Sequence, residues 1–269
     1  MLCDVENSIF VDNNSSDGTV VKISSAFPNA KIIRNTKNEG FGTANNKALS
    51  ITDTKFAFLV NPDCYASTPL ITSLLPIFED YPDAAIAAPQ ILNADGELEV
   101  NYRWSRLGWK STGLHADGPC CVGFVSGAAM LIRLDAIRHI GFFDEQFFLY
   151  YEDEDLCERL FKHKLELIVA PNAKIFHRSR GSVRGGNTLT NEYTRGFHHA
   201  QSKIKFEQKY FGKHRAQILR LKVLLYAMPT LAFRLLGLHP KYIARILGRI
   251  IGLARMQVRT EGPSLRKIR

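Results

Sequence analysis

The chain has 269 residues, of which 45% are hydrophobic, and a formal net charge of +9. This size allows one large folded domain, with or without a tail. The five cysteines form no C-x-x-C pair, and an odd number of cysteines without a disulfide framework favours a reducing compartment. The N-terminus shows no secretory signal, so we expect a cytoplasmic protein.

The positive charge is concentrated at the C-terminal end. Residues 200–269 contain 16 Lys and Arg against 2 Asp and Glu, a net charge of +14, whereas residues 1–199 carry a net charge of −5. A basic tail therefore follows a mildly acidic body. Such a tail is expected to bind phosphate groups, either of membrane lipids or of nucleic acid.

Short apolar runs ending in polar turns mark the first 60 residues. Residues 8–13 predict a buried strand, followed by an Asn- and Asp-rich turn and a helix to about residue 26. Lys31–Arg34 predicts a second strand, and the apolar run Phe56–Val60 predicts a central parallel strand buried on both faces. These alternations are typical of an α/β fold.

Three polar segments follow these strands. Asp12 at a strand end suits nucleotide recognition, although an ordinary Asx turn is the alternative. The glycines of Asn38–Asn46 let the backbone approach a ligand, but the segment matches neither standard phosphate-loop pattern. Asp63, in Asn-Pro-Asp, stands where a divalent ion could join it to phosphates; a simple turn is again the alternative.

The middle of the chain is less regular. A helix is predicted over Pro69–Tyr81, a buried strand over Ala84–Pro89, and a strand over Val122–Ile132. Residues 91–120 lack a clear period, and we interpret them as an irregular insertion that could contact an acceptor.

Four consecutive acids, Glu152–Asp155, open a predicted helix directly after an aromatic stretch. Leu156 and Leu160 give this helix an apolar stripe. A carboxylate at the edge of an apolar cleft is a candidate general base. The alternative is a well-capped surface helix, since acids in a first turn are favoured by the helix dipole.

A strand at Glu166–Ala170 and the segment Lys174–His177 lead into a loop with three arginines, Arg178–Gly186. Such a loop could close on an anion and contact its phosphate oxygens. A disordered basic loop is the alternative.

The tail is helical and basic from about Phe197 onward. Arg220, Lys222, Arg234 and Pro229 interrupt its most apolar part, so a membrane-spanning helix is not expected. We favour amphipathic helices lying in the plane of an anionic membrane surface, over residues 219–228 and 242–256. A helix pair packed on the body remains an alternative, as does an RNA-binding tail, which the scarcity of interleaved aromatic residues disfavours.

The order of these motifs resembles the family 2 inverting glycosyltransferases, and within them the rhamnosyltransferase-like branch that builds cell-surface polysaccharide. Each matching segment is weak alone, and their common order makes the resemblance specific. The segments are Val11–Thr19, Asn38–Asn46, Leu59–Asp63, Val125–Leu131, Phe143–Phe148 with Tyr151–Cys157, and His177 with Gly181 and Ser182.

The resemblance implies a GT-A fold, which is a Rossmann-like α/β domain with a mixed, mainly parallel sheet and helices on both faces. Residues 1–200 would form this domain and residues 201–269 a membrane-associating helical tail. The partners implied are a nucleotide-diphosphate sugar donor, a divalent metal (Mg²⁺ or Mn²⁺), a glycan or polyprenyl-linked acceptor and an anionic membrane surface at the inner face of the cell membrane, with no nucleic acid.

The resemblance also assigns roles to individual residues. Asp153, with Glu152 beside it, would match the catalytic base, and Asp63 with His177 would hold the metal. The expected donor-binding residues are Asp12, Asn13, Asp17, Asn38, Gly40, Asn45, Arg178, Arg180 and Arg184.

Two departures from the family pattern qualify this expectation. Asn61 replaces the first acid of the family's metal-binding D-x-D motif. Family members also have an apolar strand and a helix before the strand that ends in Asp12, so we expect an N-terminally incomplete domain. The predicted activity is transfer of a sugar, rhamnose from dTDP-rhamnose by family branch. The alternative is a non-catalytic nucleotide-sugar-binding or scaffold subunit, or a truncated, inactive fragment.

Overall fold

The computed structural model describes residues 7–66, 70–99, 101–107, 115–178 and 188–256. The chain divides into two compact units. Unit 1 comprises Met1–Glu145 and Glu152–Arg184, and unit 2 comprises Gln146–Tyr151 and Gly185–Arg269. The domain boundary expected at residue 200 falls inside a continuous helix of unit 2, Thr188–Phe211.

The strands, in chain order, are β1 Ile9–Asp12, β2 Lys31–Arg34, β3 Phe56–Val60, β4 Cys64–Tyr65, β5 Ala84–Leu92, β6 Leu98–Glu99, β7 Tyr102–Arg103, β8 Cys120–Cys121, β9 Phe124–Val125, β10 Ala129–Arg133 and β11 Glu166–His177. The helices are α1 Thr19–Ala26, α2 Phe41–Ser50, α3 Leu70–Leu74, α4 Ile77–Asp80, α5 Leu134–Ile137, α6 Glu152–Lys162, α7 Thr188–Phe211, α8 Lys213–Leu236 and α9 Pro240–Ala254.

Unit 1 contains a mixed sheet, which confirms the predicted α/β class. Its main path runs β3-β10-β5-β11-β4, with β6 paired to β5 and β8 to β11, while β1 with β2 and β7 with β9 form two-stranded sheets. Parallel pairing was expected to predominate. Among the described strands, however, only β1/β2 and β5/β11 are parallel, and the other pairs are antiparallel.

The prediction that β3 is a central parallel strand was wrong for the described part of the chain. β3 stands at one end of the main path and pairs antiparallel with β10. Only Leu59 of its five residues is fully buried. Its unbroken apolar run reflects partial burial of both faces, which a sequence pattern alone does not distinguish from a central position.

Proline divides the helix predicted over Pro69–Tyr81. α3 ends at Leu74 and α4 begins at Ile77, with Pro76 between them. The proline has no backbone N–H to donate to the preceding turn, so the helical hydrogen bonds cannot run through it.

Two apolar clusters cover the two faces of the main sheet. Along β10, Met130 and Ile132 point into one cluster while Ala129 and Leu131 point into the other, as the period of a strand requires. The first cluster takes residues from α2, α5 and α6, and the second takes residues from α3 and α4. Helices therefore lie on both faces, as predicted.

Unit 2 contains the long helices α7, α8 and α9. α7 and α9 approach so closely that a β-carbon at Gly196 would lie 2.0 Å from the carbonyl oxygen of Arg245, and one at Gly248 would lie 2.0 Å from that of Tyr193. Both positions therefore require glycine. Across the described ranges, none of the helices is both long and apolar enough to cross a bilayer.

Candidate functional site

Asn13, one residue beyond β1, joins the turn after β2 to the start of α2. Its Nδ2 donates to Asn38 Oδ1 (2.9 Å) and to the carbonyl of Gly40 (3.1 Å). Its Oδ1 accepts from Asn35 Nδ2 (3.0 Å) and from the backbone N–H of Glu39 (2.9 Å). The structure thus brings together three predicted donor-binding residues, Asn13, Asn38 and Gly40, at the ends of two parallel strands.

Asp12, Asp17 and Asn45 make local contacts instead. The buried carboxylate of Asp12 accepts the backbone N–H of Ser15 (3.2 and 3.3 Å). Asp17 is exposed and caps α1 through Thr19, whose hydroxyl and backbone N–H lower the pKa of that carboxyl. Asn45 donates to the carbonyl of Phe41, one turn earlier in α2 (2.9 Å). The contacts of Asp12 and Asp17 agree with the Asx-turn alternative. Donor binding by all three residues stays a prediction.

Asp63 and His177 meet at the pairing of β4 with β11. His177 Nε2 lies 3.3 Å from Asp63 Oδ1. This hydrogen bond raises the pKa of the His177 imidazole. Cys64, which the sequence analysis did not select, joins them, because one ligand atom from each of the three residues lies within 4.8 Å of the others. A carboxylate, a thiol and an imidazole form a donor set that fits a divalent ion.

Arg178 follows β11 directly. Its backbone N–H donates to the carbonyl of Asp63 (3.0 Å), and its guanidinium lies 5.5 Å from the centre of the Tyr65 ring. Its exposed side chain is therefore anchored beside the Asp63–His177 pair. Arg180 and Arg184, the other two arginines of the predicted anion-binding loop, lie outside the described residues.

The acidic helix α6 begins at Glu152 because Tyr150 and Tyr151 before it adopt left-handed φ angles of 67° and 70°. The last of its four acids, Asp155, is fully buried, and its carboxylate accepts Arg159 Nε at 2.8 Å. Asp155 is thus a structural residue.

The other three acids differ in the groups that contact them. Asp153 Oδ2 accepts the backbone N–H of Gly127 (3.1 Å), and Asp153 Oδ1 accepts that of Glu154 (2.9 Å). Glu154 forms an ion pair with the buried Arg103 (3.3 Å). Glu152 Oε2 is buried and has no hydrogen-bond partner among the described residues.

These surroundings set the protonation of the acids. Burial, and then repulsion from Asp153, raises the pKa of Glu152 from 4.5 to about 8. Burial also raises the pKa of Asp153, although the N–H donors oppose the shift. Since Asp153 receives those donors and Glu152 does not, Asp153 is the acid of this coupled pair that gives up its proton first, and Glu152 holds its proton to higher pH.

Gly127 and Ala128, between β9 and β10, connect the two clusters. The N–H of Gly127 donates to Asp153. The carbonyl of the next residue, Ala128, accepts the backbone N–H of Asn61 (2.9 Å) and the thiol of Cys64 (3.5 Å). Adjacent residues thus contact the acid pair and the cluster that contains Asp63. A β-carbon at Gly127 would meet the Phe41 ring at 3.2 Å.

The start of α2 packs beside the same acids. A β-carbon at Gly42 would lie 2.9 Å from Cβ of Phe143 and 3.6 Å from Cβ of Glu152. Farther along α2, Asn46 exchanges two hydrogen bonds with the backbone of Phe143 (2.8 and 3.0 Å). Gly42 therefore allows α2 to approach the acids closely, whereas the approach of this segment to a ligand stays a prediction.

Sequence reasoning missed three contributors: Cys64, Arg103 and the backbone N–H of Gly127. Cys64 directly follows the predicted metal ligand Asp63, and this adjacency was the one signal that could have identified it. Arg103 lies in a segment without periodicity, and its pairing with Glu154 depends on contacts between residues distant in sequence.

Proteins of known sequence indicate the family of the chain. Residues 5–141 match the model of glycosyl transferase family 2. The chain is 27% identical over 210 residues to N-acetylglucosaminyl-diphospho-decaprenol L-rhamnosyltransferase of Mycobacterium tuberculosis, covering 65% of this chain and 67% of that protein. It is 30% identical over 159 residues to the pre-mycofactocin glycosyltransferase of the same organism, covering 57% of this chain and 33% of that one.

Solved structures share the fold. The GalNAc-T7 structure with UDP, GalNAc and Mn²⁺ matches with a TM-score of 0.53 at 16% identity, covering 74% of this chain and 45% of that one. The mannosyltransferase of Pyrobaculum calidifontis with GDP-Man and Mn²⁺ matches with a TM-score of 0.50 at 12% identity, covering 91% and 76%. The family match spans half of the chain, and with the predicted motifs and this fold it shows that the protein is a glycosyltransferase belonging to glycosyl transferase family 2.

Proposed function

We propose that this protein is a metal-dependent, inverting glycosyltransferase that moves rhamnose from dTDP-rhamnose to a polyprenyl-diphosphate-linked glycan during cell-surface polysaccharide synthesis. The observation that carries the proposal is the Gly127–Ala128 connection. Gly127 donates to the carboxylate of Asp153, and the adjacent Ala128 accepts from Cys64, which belongs to the cluster suited to a cation.

Asp153 would act as the general base. The donors from Gly127 and Glu154 keep its carboxylate ionised and oriented, and the protonated Glu152 beside it adds no second negative charge. Asp153 takes the proton of an acceptor hydroxyl, and that oxygen forms a bond to the anomeric carbon. The bond to the diphosphate breaks on the opposite face, which inverts the configuration.

The donor would lie along the ends of β1 and β2. Asn13, Asn38 and the start of α2 offer amide groups and a helix N-terminus for the nucleotide. A divalent ion held by Asp63 and His177 would supply positive charge for the diphosphate. Arg178, with Arg180 and Arg184, would add cationic groups for the same phosphates.

The sugar and the acceptor are proposed from the relative whose name specifies them. The Mycobacterium tuberculosis protein is an L-rhamnosyltransferase named for N-acetylglucosaminyl-diphospho-decaprenol. A comparable acceptor would place this chain at the cytoplasmic face of a membrane.

The transfer assay uses the purified chain with dTDP-rhamnose, Mn²⁺ and N-acetylglucosaminyl-diphospho-polyprenol in detergent. We expect a rhamnosylated lipid with the inverted anomeric configuration, and less product with UDP- or GDP-sugars. Nucleotide binding without transfer or donor hydrolysis would favour the non-catalytic subunit instead. Transfer from a different sugar nucleotide would retain the enzyme and correct the donor.

The outer face of α8 supports membrane association. Leu221, Leu225, Met228 and Leu236 recur at helical spacing and are 59%, 64%, 58% and 86% exposed. The second helix expected at the membrane, α9, turns a glycine-containing face to α7, so α8 presents the apolar surface to the lipid. The exposed Lys222 lies beside this stripe and suits anionic headgroups.

Liposome flotation tests this surface. We expect Leu225→Ser with Leu236→Ser to weaken binding to phosphatidylglycerol vesicles at least about fivefold, since two exposed apolar side chains are lost. Val21→Ser in unit 1, which alters a 70% exposed apolar residue, is the matched control. Equal binding by the double variant and wild type would exclude α8 as the membrane contact.

A further inference from the structure

We propose that Cys64 is a third protein ligand beside Asp63 and His177, so that this site binds a thiophilic divalent ion such as Zn²⁺ more tightly than Mg²⁺. The inference deepens the proposed metal site and rests on the proposed function for its catalytic meaning. The binding itself can be measured without the reaction.

The strand register places the thiol and the imidazole together. In the antiparallel pairing of β4 with β11, His177 stands directly opposite Cys64. Directly opposed residues project to the same face of a sheet, with β-carbons about 4.5–5.5 Å apart. Asp63 precedes β4 by one residue and reaches the same point, because its Oδ1 lies 3.3 Å from His177 Nε2.

The spacing of the ligand atoms suits a small four-coordinate ion. Oxygen and nitrogen ligands at about 2.0–2.1 Å from a tetrahedral Zn²⁺ lie about 3.4 Å apart. The Asp63–His177 distance of 3.3 Å is close to that edge, and the full set lies within 4.8 Å. An ion could therefore enter with small side-chain movements.

The present partner of the thiol does not oppose this role. The Cys64 S–H donates to the carbonyl of Ala128 at 3.5 Å, a weak contact. Metal binding would break that contact, form the sulfur–metal bond and release one proton to solvent. The Ala128 carbonyl would still accept the N–H of Asn61 at 2.9 Å, so this carbonyl would keep a hydrogen-bond donor.

The ligand chemistry sets the preference. Mg²⁺ prefers oxygen ligands and keeps several waters, whereas thiolate and imidazole suit Zn²⁺ and Co²⁺. One carboxylate, one thiolate and one imidazole leave a fourth position open for a diphosphate oxygen of the donor. The residue after Asp63 therefore determines which metals this protein accepts.

Cobalt titration of the full chain tests the inference, with Co²⁺ alone as the probe. We expect a near-ultraviolet sulfur-to-cobalt charge-transfer band that saturates at one equivalent. Cys64→Ser should abolish the band and weaken Zn²⁺ binding by about 10–100-fold while changing Mn²⁺ binding by less than about threefold. Cys121→Ser, which alters an exposed cysteine of the same unit, is the matched control.

A band that persists in Cys64→Ser, or equal Zn²⁺ affinity of that variant and wild type, would overturn the inference. Circular dichroism of each variant shows whether it has folded, and Cys64→Ala repeats the test without a hydroxyl. Loss of the inference is distinct from loss of the proposed function. Mn²⁺-dependent rhamnose transfer without a Co²⁺ charge-transfer band would refute only the role of Cys64. A charge-transfer band without rhamnose transfer would refute only the proposed activity.

Discussion

Unit 1 contains an acid pair, Glu152 with Asp153, and a single acid, Asp63, and the groups around these carboxylates differ. At the start of α6, Glu152 and Asp153 crowd each other in a buried position, and burial raises the pKa of both. At the end of β11, Asp63 faces an imidazole, whose pKa it raises.

This difference shows that the groups around a carboxyl determine whether it suits proton transfer or cation binding. Two acids without a cation between them share a proton, which suits proton transfer. An acid facing nitrogen and sulfur ligands completes a donor set that suits a cation. The four predictions below test this division, beginning with the largest expected effect.

Asp153→Asn removes the proposed base without changing the shape of the side chain. We expect turnover to fall by about 10²–10⁴-fold, with donor affinity changed by less than about threefold. Steady-state kinetics and calorimetry with dTDP measure the two quantities. Glu158→Gln, on the same helix and paired with Arg106, is the control. Near-normal turnover in Asp153→Asn would remove this residue from the role.

Asp63→Ala should act on cation binding rather than on proton transfer. We expect Mn²⁺-dependent dTDP affinity to fall by about 10–100-fold, because the charged metal ligand is lost. Titration with and without Mn²⁺ measures the change, and the exposed Asp53→Ala serves as control. If EDTA does not change the affinity of the wild-type protein for dTDP, the assignment of Asp63 as a metal ligand is refuted.

Glu152→Gln should change how stability depends on pH. Between pH 4.5 and about 8 the folded protein holds a proton on Glu152 that the unfolded chain releases, so wild-type stability falls as pH rises through that window. We expect the variant to gain about 1–3 kcal/mol in free energy of unfolding at pH 8.5 and almost nothing at pH 4. Urea denaturation at both pH values measures this, and equal gains at both would contradict the shared proton.

Arg103→Met tests a cation close to the acid pair. The guanidinium of Arg103 lowers the pKa of Asp153 and Glu154, against the larger effect of burial. Its removal should move the acid limb of the kcat/KM profile to higher pH by about 0.5–1 unit. Arg103→Lys should restore part of the shift. An unchanged acid limb of the kcat/KM profile in Arg103→Met would show that Arg103 does not affect the pKa of Asp153.

Much of unit 1 could be predicted because its signals are local. The strand ends at Asp12 and Val60 and the helix of four acids follow from apolar runs and the polar residues after them. The antiparallel position of β3 could not be predicted, since an unbroken apolar run is compatible with either pairing direction.

The site was predicted in part for the same reason. Asp63, His177, Glu152 and Asp153 were assigned from the family resemblance, in segments beside recognisable elements, and their roles stay predictions. The addition of Cys64 depends on the β4/β11 register, and that register joins residues more than 100 positions apart in sequence. The unequal protonation of Glu152 and Asp153 depends on the backbone N–H of Gly127, which no side-chain pattern records.

Gln146–Tyr151 belongs to unit 2 although unit 1 resumes at Glu152. Within unit 2, Ser202 of α7 donates to the carbonyl of Leu149 (2.9 Å), and Phe147 is fully buried in a cluster with Phe206. The positive φ angles of Tyr150 and Tyr151 each cost about 1–3 kcal/mol of conformational free energy. They persist because the surrounding contacts of unit 2 offset that cost. Residues 146–151 therefore belong with the C-terminal helices in any recombination: a chimera that exchanges those helices must also exchange residues 146–151.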